Sequence, residues 1–476
     1  MRRWLASSRA VPALLFALVW LSASWFGSWE YNPNNSTRLF AAISLAERGD
    51  ATIDEFAPLT IDKARFGAHF YLDKAPGMTL MATPVVATLY GLTGQTSRYL
   101  DKAIEAPALT AYLRLRLRAA AILSSALLTA LAAVALWSLA RAITGSPRAG
   151  LVAALGYGLG CPAWGWSTTI FGHAAVAALF MIAVWAIWWG SADDRPRPAL
   201  AALAGAALGW AVVVEYQAVI AGSAIGLWAL WRAWRSPVRW RLIGVALAGG
   251  ITAMLPLIGY NLLAFGVPFK VGYEGVVGFD GMQQGLFGLT YPKADVMFEL
   301  VFGLRRGLIW VAPVLAIAPL GLIRLARGPH RDVAVMAAAV ILLVLLVNAS
   351  YVYWDGGFST GPRHSVPMLP LLALGLAPLW AGLERARARI GVLALLGLSV
   401  VINLAIAATV ITAPDTARFP LWRPILVDDV PAGRFRDLPG QFWGWSPWAG
   451  MALYLVLALG LAALLWRASR AAPRPA

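Results

Sequence analysis

Residues 333–350, VAVMAAAVILLVLLVNAS, form a run of eighteen residues without a charged side chain. As a helix, such a run extends about 27 Å at about 1.5 Å per residue, close to the ~30 Å thickness of a bilayer's hydrocarbon core. Similar apolar runs recur along the chain, at 11–28, 119–140, 149–165, 173–189, 199–215, 217–231, 243–264, 308–323, 365–382, 390–411 and 448–466. The sequence therefore predicts an all-α polytopic membrane protein with about 12 transmembrane helices.

The composition argues against a soluble protein. Hydrophobic residues make up 60% of the 476 residues and charged residues only 13%, about half the charged fraction of a typical soluble domain. The single cysteine, Cys161, excludes an intrachain disulfide. A net charge of +16 would suggest nucleic-acid binding in a soluble protein, but the distribution of the charges gives it another meaning.

Basic residues are distributed unevenly between alternate loops. One further apolar segment, 77–93, is short and contains prolines, and we expect it to lie in the interface or to re-enter without crossing. The short loops on one side then hold 20 of the 39 basic residues and four of the 23 acidic ones, and the other side is neutral. By the positive-inside rule, both termini are cytoplasmic and the chain spans the inner (cell) membrane. The net charge is thus a topology signal, and no nucleic-acid partner is expected.

The long loops all fall on the predicted outer side, and long ordered loops are usually functional. They are the first outer loop, 29–118, and the loops 265–307, 351–364 and 412–447. We expect a single membrane domain, 1–476, with its active site on the outer side.

The first outer loop begins with a predicted helix. Ser36 or Thr37 caps a helix from Arg38 to Arg48, and Gly49 stops it. An apolar stripe on this helix predicts that it lies along the membrane surface.

Charged and aromatic residues alternate after this helix, around Asp62, His69, Tyr71, Asp73 and Lys74. Two interpretations are open. The segment is either a solvated charged loop or a site where a cation meets an anionic headgroup and a carboxylate activates a hydroxyl.

This loop resembles that of the GT-C superfamily of membrane glycosyltransferases, in particular the protein O-mannosyltransferases and the lipid A aminoarabinose transferase. Their loop has Asp-Glu-x-Arg, a helix ending in Gly-Asp, and then Tyr-x-Glu/Asp-Lys-Pro-Pro. The matching residues here are Arg38, Gly49, Asp50, Tyr71, Asp73, Lys74 and Pro76. The segment GPRHSVP at 361–367 is similar to the start of a late span in the same enzymes. The resemblance implies a GT-C-like fold with interfacial helices in the first outer loop.

The chain departs from the family pattern at the catalytic acids, where it has Asn35 and Ser36. The resemblance implies a carboxylate base, so another carboxylate is expected to act. Glu30 is the first candidate because it directly follows the first span, and Asp62 and Asp73 are the others.

The remaining site candidates bind substrate. They are Arg38, His69, Tyr71, Lys74, Trp354, Asp355, Arg363 and His364. Aromatic rings beside a carboxylate, as at Trp354 and Asp355, are typical of sugar binding, although interfacial aromatic belts have the same composition. Glu215 falls at the outer end of a tight helical hairpin, where it is either functional or simply polar. The histidines show no metal-ligand spacing, so neither a metal nor a cofactor is expected.

The resemblance implies a glycosyltransferase that moves a sugar from a polyprenyl-phosphate donor to a lipid, glycan or protein acceptor, with inversion. One carboxylate would deprotonate the acceptor hydroxyl, and Arg38, Lys74 and Arg363 would stabilise the leaving phosphate. The alternative is a transporter or flippase of a lipid-linked glycan precursor. Transporters usually show internal repeats and binding groups at the midplane, whereas nearly all ionisable residues here fall in loops.

The charge distribution predicts that both termini face the cytoplasm. A fluorescent reporter fused after Ala476 should therefore fluoresce, and an alkaline phosphatase fusion at the same point should be inactive. A fusion of either reporter within 412–447 should give the opposite result. An active phosphatase after Ala476 would show that the predicted orientation is wrong.

Overall fold

The computed structural model describes residues 9–27, 32–192 and 196–471, together with Ser7. Within these residues the protein is helical apart from one two-stranded hairpin and a few isolated bridges. The elements are α1 (Ala10–Trp25), α2 (Pro33–Arg48), β1 (Ala64–Phe66), β2 (His69–Tyr71), α3 (Gly77–Thr93), α4 (Pro107–Thr144), α5 (Pro147–Gly158), α6 (Ala163–Ser167), α7 (Gly172–Gly190), α8 (Pro198–Val214), α9 (Ala218–Trp234), α10 (Arg239–Phe265), α11 (Ala294–Val301), α12 (Leu308–Val311), α13 (Pro313–Ala326), α14 (Arg331–Ser350), α15 (Arg363–Ala381), α16 (Ala386–Ala408), α17 (Leu438–Trp443) and α18 (Pro447–Ala471).

Seven of the described helices are long and apolar enough to cross a membrane, judged by length and composition. These are α4, α7, α10, α14, α15, α16 and α18. Five shorter apolar helices, α1, α3, α8, α9 and α13, accompany them. The described part of each predicted apolar run is mostly helical, so the predicted all-α polytopic fold is confirmed. The buried helix α7 packs against α4, α8 and α15 at the centre of the fold.

Helix α2 begins five residues earlier than predicted. Asn32, rather than Ser36 or Thr37, is the N-cap, and its side chain accepts a hydrogen bond from the backbone N–H of Asn34 at 3.0 Å. Pro33 occupies the first helical position, where its missing N–H costs nothing. The helix also does not lie on a surface as expected, because its residues from 35 to 44 are all buried. It packs against α3 instead.

Helix α4 begins at Pro107, twelve residues before the predicted apolar run. Its first turns contain three arginines that the apolar pattern assigned to the loop. They donate hydrogen bonds to backbone carbonyls of other segments. Arg114 bonds to Gln441 O, Arg116 to Gln95 O and Arg118 to Phe26 O. These carbonyls partner the Nη atoms of the three arginines, and the helix extends through the charged stretch.

Close packing of small residues holds α8 against α10. A Cβ on Gly205 would lie 1.8 Å from the carbonyl oxygen of Ala246, and a Cβ on Gly209 would lie 2.5 Å from that of Gly250. Only residues without side chains allow backbones to approach so closely. This seam positions α8, whose C-terminal end reaches the site described below.

Replacing Gly205 by leucine should therefore lower the free energy of unfolding by about 1–3 kcal/mol, the usual cost of overpacking. The measurement is the melting temperature of the purified protein in detergent. Gly226→Leu is the matched control, because no atom lies within 4 Å of a Cβ built at that helical glycine. Equal melting temperatures for the two variants would show that the seam does not stabilise the fold.

Candidate active site

The β-hairpin places two carboxylates opposite each other. Its strands are antiparallel, with residue 64 paired with residue 71. Continued by two residues, the same register brings Asp62 opposite Asp73. Lys74 follows directly, and Gly77 then begins α3. Two acids eleven residues apart and the adjacent lysine thus meet at the base of the hairpin.

Lys74 forms ion pairs with both acids. Its Nζ lies 3.4 Å from Asp62 Oδ2 and donates a hydrogen bond to Asp73 Oδ2. Asp73 is only 1% exposed, and burial raises the pKa of its carboxyl, although Lys74 partly offsets the effect. Burial alone would lower the pKa of the Lys74 ammonium, but Asp62 and Asp73 together raise it above its usual value. The lysine therefore stays charged.

A second ion pair comes from another part of the chain. Arg38 on α2 donates from Nη2 to Glu215 Oε1 at 3.1 Å, and from Nη1 to the carbonyl oxygen of Asn34 at 3.0 Å. Glu215 occupies the break between α8 and α9. Its side chain lies across Gly172, where a Cβ would be 2.2 Å from Oε1. Burial raises the pKa of Glu215, and Arg38 opposes that shift.

These groups share one cavity of about 240 Å³. Three cations and three carboxylates line it: Arg38, Lys74, Arg363, Asp62, Asp73 and Glu215. Aromatic side chains from two long loops complete the wall: Tyr273, Phe279, Tyr351, Tyr353 and Phe358. The cavity therefore combines charged groups for an anion with rings on which a sugar can stack.

Arg363 differs from the other two cations because, among the described residues, it has no carboxylate within ion-pair distance. Its guanidinium lies over the ring of Phe171, 5.3 Å from the centroid. A Cβ on Gly356 would lie 2.7 Å from its Nε, so this glycine gives the side chain its space. The Nε of Arg363 and the Nε2 of His364 are buried without a hydrogen-bond partner in the described structure. Arg363 is thus positioned to bind an incoming anion.

The chain matches known proteins in both sequence and fold. Residues 107–260, about a third of the chain, match the family model for dolichyl-phosphate-mannose-protein mannosyltransferases. The crystal structure of ArnT from Cupriavidus metallidurans bound to undecaprenyl phosphate superposes with a TM-score of 0.53 at 15% identity. That match covers 96% of this chain and 73% of ArnT.

The chain has a GT-C-type fold. The apo structure of the same ArnT matches equally well, with a TM-score of 0.53, 16% identity, and coverage of 97% of this chain and 74% of ArnT. No curated protein matches the sequence significantly. The predicted resemblance to the GT-C superfamily is confirmed.

Six of the eleven predicted site residues line the cavity of this GT-C-type fold. They are Arg38, Asp62, Asp73, Lys74, Arg363 and His364. Glu30, the first candidate for the base, lies outside the described residues.

Four predicted residues lie elsewhere and do not line the cavity. His69 is exposed, with its Nδ1 2.6 Å from Asp54 Oδ2. Tyr71 packs against Phe265, with ring centroids 5.3 Å apart, and does not line the cavity.

Trp354 and Asp355 are the other two predicted site residues that do not line the cavity. Asp355 accepts a hydrogen bond from Arg305 Nη2 at 2.6 Å, while its backbone oxygen accepts one from Arg306. Trp354 packs against a small hydrophobic cluster around α11. These contacts join the loop 351–364 to α11 and to the segment that follows it.

Asn35, at the family's acid position, binds another segment of the protein. Its Oδ1 accepts a hydrogen bond from the backbone N–H of Ile170 at 3.1 Å, and the residue is 4% exposed. The side chain anchors α2 to the segment before α7, and it does not line the cavity.

The cavity also contains residues that were not among the predicted sites: Glu215, His173 and Tyr273. Glu215 was noted at a hairpin turn, but nothing local in the sequence shows that this turn meets Arg38. Its contact joins residues 177 positions apart, so only tertiary structure reveals it.

Proposed function

We propose that the protein transfers a sugar from a polyprenyl-phosphate donor to an acceptor hydroxyl, with inversion, on the outer side of the inner membrane. The observation that carries this proposal is the cavity in which three cations and three carboxylates face aromatic rings in a GT-C-type fold. The undecaprenyl phosphate bound to ArnT supports the donor class.

The donor phosphate binds between Lys74 and Arg363. Asp62 lies 3.4 Å from Lys74, and both line the same cavity as Arg363. Lys74 uses its ammonium donors for Asp73 and Asp62 and has a third N–H free for a phosphate oxygen. Arg363 adds a planar fork that suits phosphate geometry.

The leaving group acquires negative charge as the bond between the anomeric carbon and the phosphate oxygen breaks. Cations fixed in a poorly hydrated cavity stabilise that charge more strongly than water does. Asp62 and Asp73 hold Lys74 in place, and a cavity carboxylate accepts the acceptor's proton. The rings of Tyr351 and Tyr353 line the same space, where they contact the sugar.

Purified protein in nanodiscs should transfer label from at least one member of a panel of undecaprenyl-phosphate-linked pentoses and hexoses to a cell-envelope fraction. It should also bind undecaprenyl phosphate, measured by native mass spectrometry. The product's anomeric configuration, read by NMR, should be opposite to that of the donor. Failure of all panel members to react, with no binding of undecaprenyl phosphate, would contradict the proposed function.

Replacing Lys74 should reduce donor binding. Glutamine preserves most of the side-chain length but removes the charge, so Lys74→Gln should weaken undecaprenyl phosphate binding at least 10-fold and reduce transfer by more. The variant also leaves Asp73 buried without its cation, which costs stability, so its melting temperature is measured in parallel.

The matched control is Lys63→Gln, because Lys63 belongs to the same hairpin segment, donates to the carbonyl oxygen of Ala57 and does not line the cavity. Normal binding is expected for this control. A folded Lys74→Gln protein with wild-type binding and transfer would show that Lys74 does not hold the phosphate.

A further inference from the structure

Two of the three cavity carboxylates contact the lysine that binds phosphate in the proposed function. Asp62 and Asp73 both pair with Lys74, so they lie on the leaving-group side of a bound donor. Glu215 is different, because its ion pair is with Arg38 and it has none with Lys74. It reaches the cavity from the break between α8 and α9, whereas Asp62 and Asp73 come from the hairpin.

An inverting displacement imposes a geometric requirement on the base. The attacking hydroxyl and the leaving phosphate must lie on opposite faces of the anomeric carbon. A carboxylate in contact with the phosphate-binding cation therefore cannot also reach the attacking hydroxyl on the far face. This argument excludes Asp62 and Asp73 and leaves Glu215 among the described carboxylates of the cavity.

We propose that Glu215 is the general base that accepts the acceptor's proton, and that Arg38 orients it. This inference rests on the proposed inverting transfer. The acceptor O–H proton moves to the Glu215 carboxylate, and the acceptor oxygen bonds to the anomeric carbon. The bond from that carbon to the phosphate oxygen breaks, and polyprenyl phosphate leaves with the electron pair.

Local packing supports a dedicated position for this carboxylate. Burying a carboxylate costs free energy unless it is paired, and a hairpin turn does not need one. Gly172 leaves space for the Glu215 carboxyl, since a Cβ there would be 2.2 Å from Oε1. Gly77 similarly allows α3 to approach the backbone of Val213, which brings the end of α8 next to the Lys74 segment.

Other titratable groups line the same cavity and act on Glu215. They are Arg38, Asp62, Asp73, Lys74, His173, Tyr273, Arg363 and His364. Burial raises the pKa of Glu215 and the cations lower it. Because a base must be deprotonated to act, kcat should rise with pH through the pKa of Glu215 in the donor complex.

The test compares Glu215→Gln with Asp62→Asn and with Glu274→Gln, a control at an exposed carboxylate that does not line the cavity. Glu215→Gln should reduce kcat by about 10²–10⁴-fold, the usual loss on removing a general base. It should also lose the acidic limb of the pH profile, while binding undecaprenyl phosphate at least as tightly as the wild type. Asp62→Asn should mainly weaken donor binding, and Glu274→Gln should behave as the wild type.

If the glutamine variant does not fold, Glu215→Asp tests the role of general base instead. Aspartate keeps the negative charge that pairs with Arg38, but its shorter side chain does not extend as far into the cavity. The kcat of Glu215→Asp should fall at least 10-fold with unchanged undecaprenyl phosphate affinity. Wild-type kcat in a folded Glu215 variant would overturn the assignment and leave the proposed function intact. The assignment would also be overturned if the acidic limb of the pH profile were lost in Asp62→Asn and kept in Glu215→Gln. Equal losses of donor binding and transfer in Glu215→Gln would overturn it as well. A wild-type protein that transfers no sugar would overturn both proposals.

Discussion

The pairing of the half-buried Lys74 with two carboxylates is the constraint on which the architecture of the site depends. Charges removed from water are costly unless each has a well-placed partner. Here the hairpin register supplies the partners, because it brings Asp62 and Asp73 opposite each other. A slip of one residue would turn one of them to the other face. The neighbouring segments must then approach closely, and glycine at 77 and 272 allows the contact with Val213 and with the backbone at Leu72.

The sequence predicts the helical membrane fold well because the bilayer imposes it directly. A helix that spans hydrocarbon satisfies its own backbone, so its apolar run is visible in sequence without any knowledge of packing. The prediction fails where polar groups are satisfied by tertiary contacts. In α4, Arg116 and Arg118 donate hydrogen bonds to backbone carbonyls of distant segments. A hydropathy pattern assigns such charged residues to a loop. In α2, the buried face includes Asn35 and Ser36, which no apolar stripe marks.

The residues of the candidate site also divide into those that a local sequence pattern predicts and those that only tertiary contacts reveal. Arg38, Asp73 and Lys74 belong to a local pattern in the first outer loop, and all three line the cavity. Composition alone could not show which side chains of that loop reach the cavity, so Tyr71 was grouped with them although it packs against Phe265 and does not line the cavity. Glu215 is the reverse case. Its turn has no distinctive local pattern, and its importance comes from meeting Arg38 through tertiary packing.

The glycine seam between α8 and α10 also connects the site to the lipid bilayer. With 27 residues, α10 is about 40 Å long, longer than a ~30 Å hydrocarbon core, and few of its side chains are buried by the rest of the protein. A helix of that length tilts to match its membrane, and the tilt changes with bilayer thickness. Because α8 is locked to α10 and ends at Glu215, and because α10 leads into the loop that carries Tyr273, a change in tilt acts on two walls of the cavity together. Through this connection, a change in the thickness of the host membrane would act on the shape of the site.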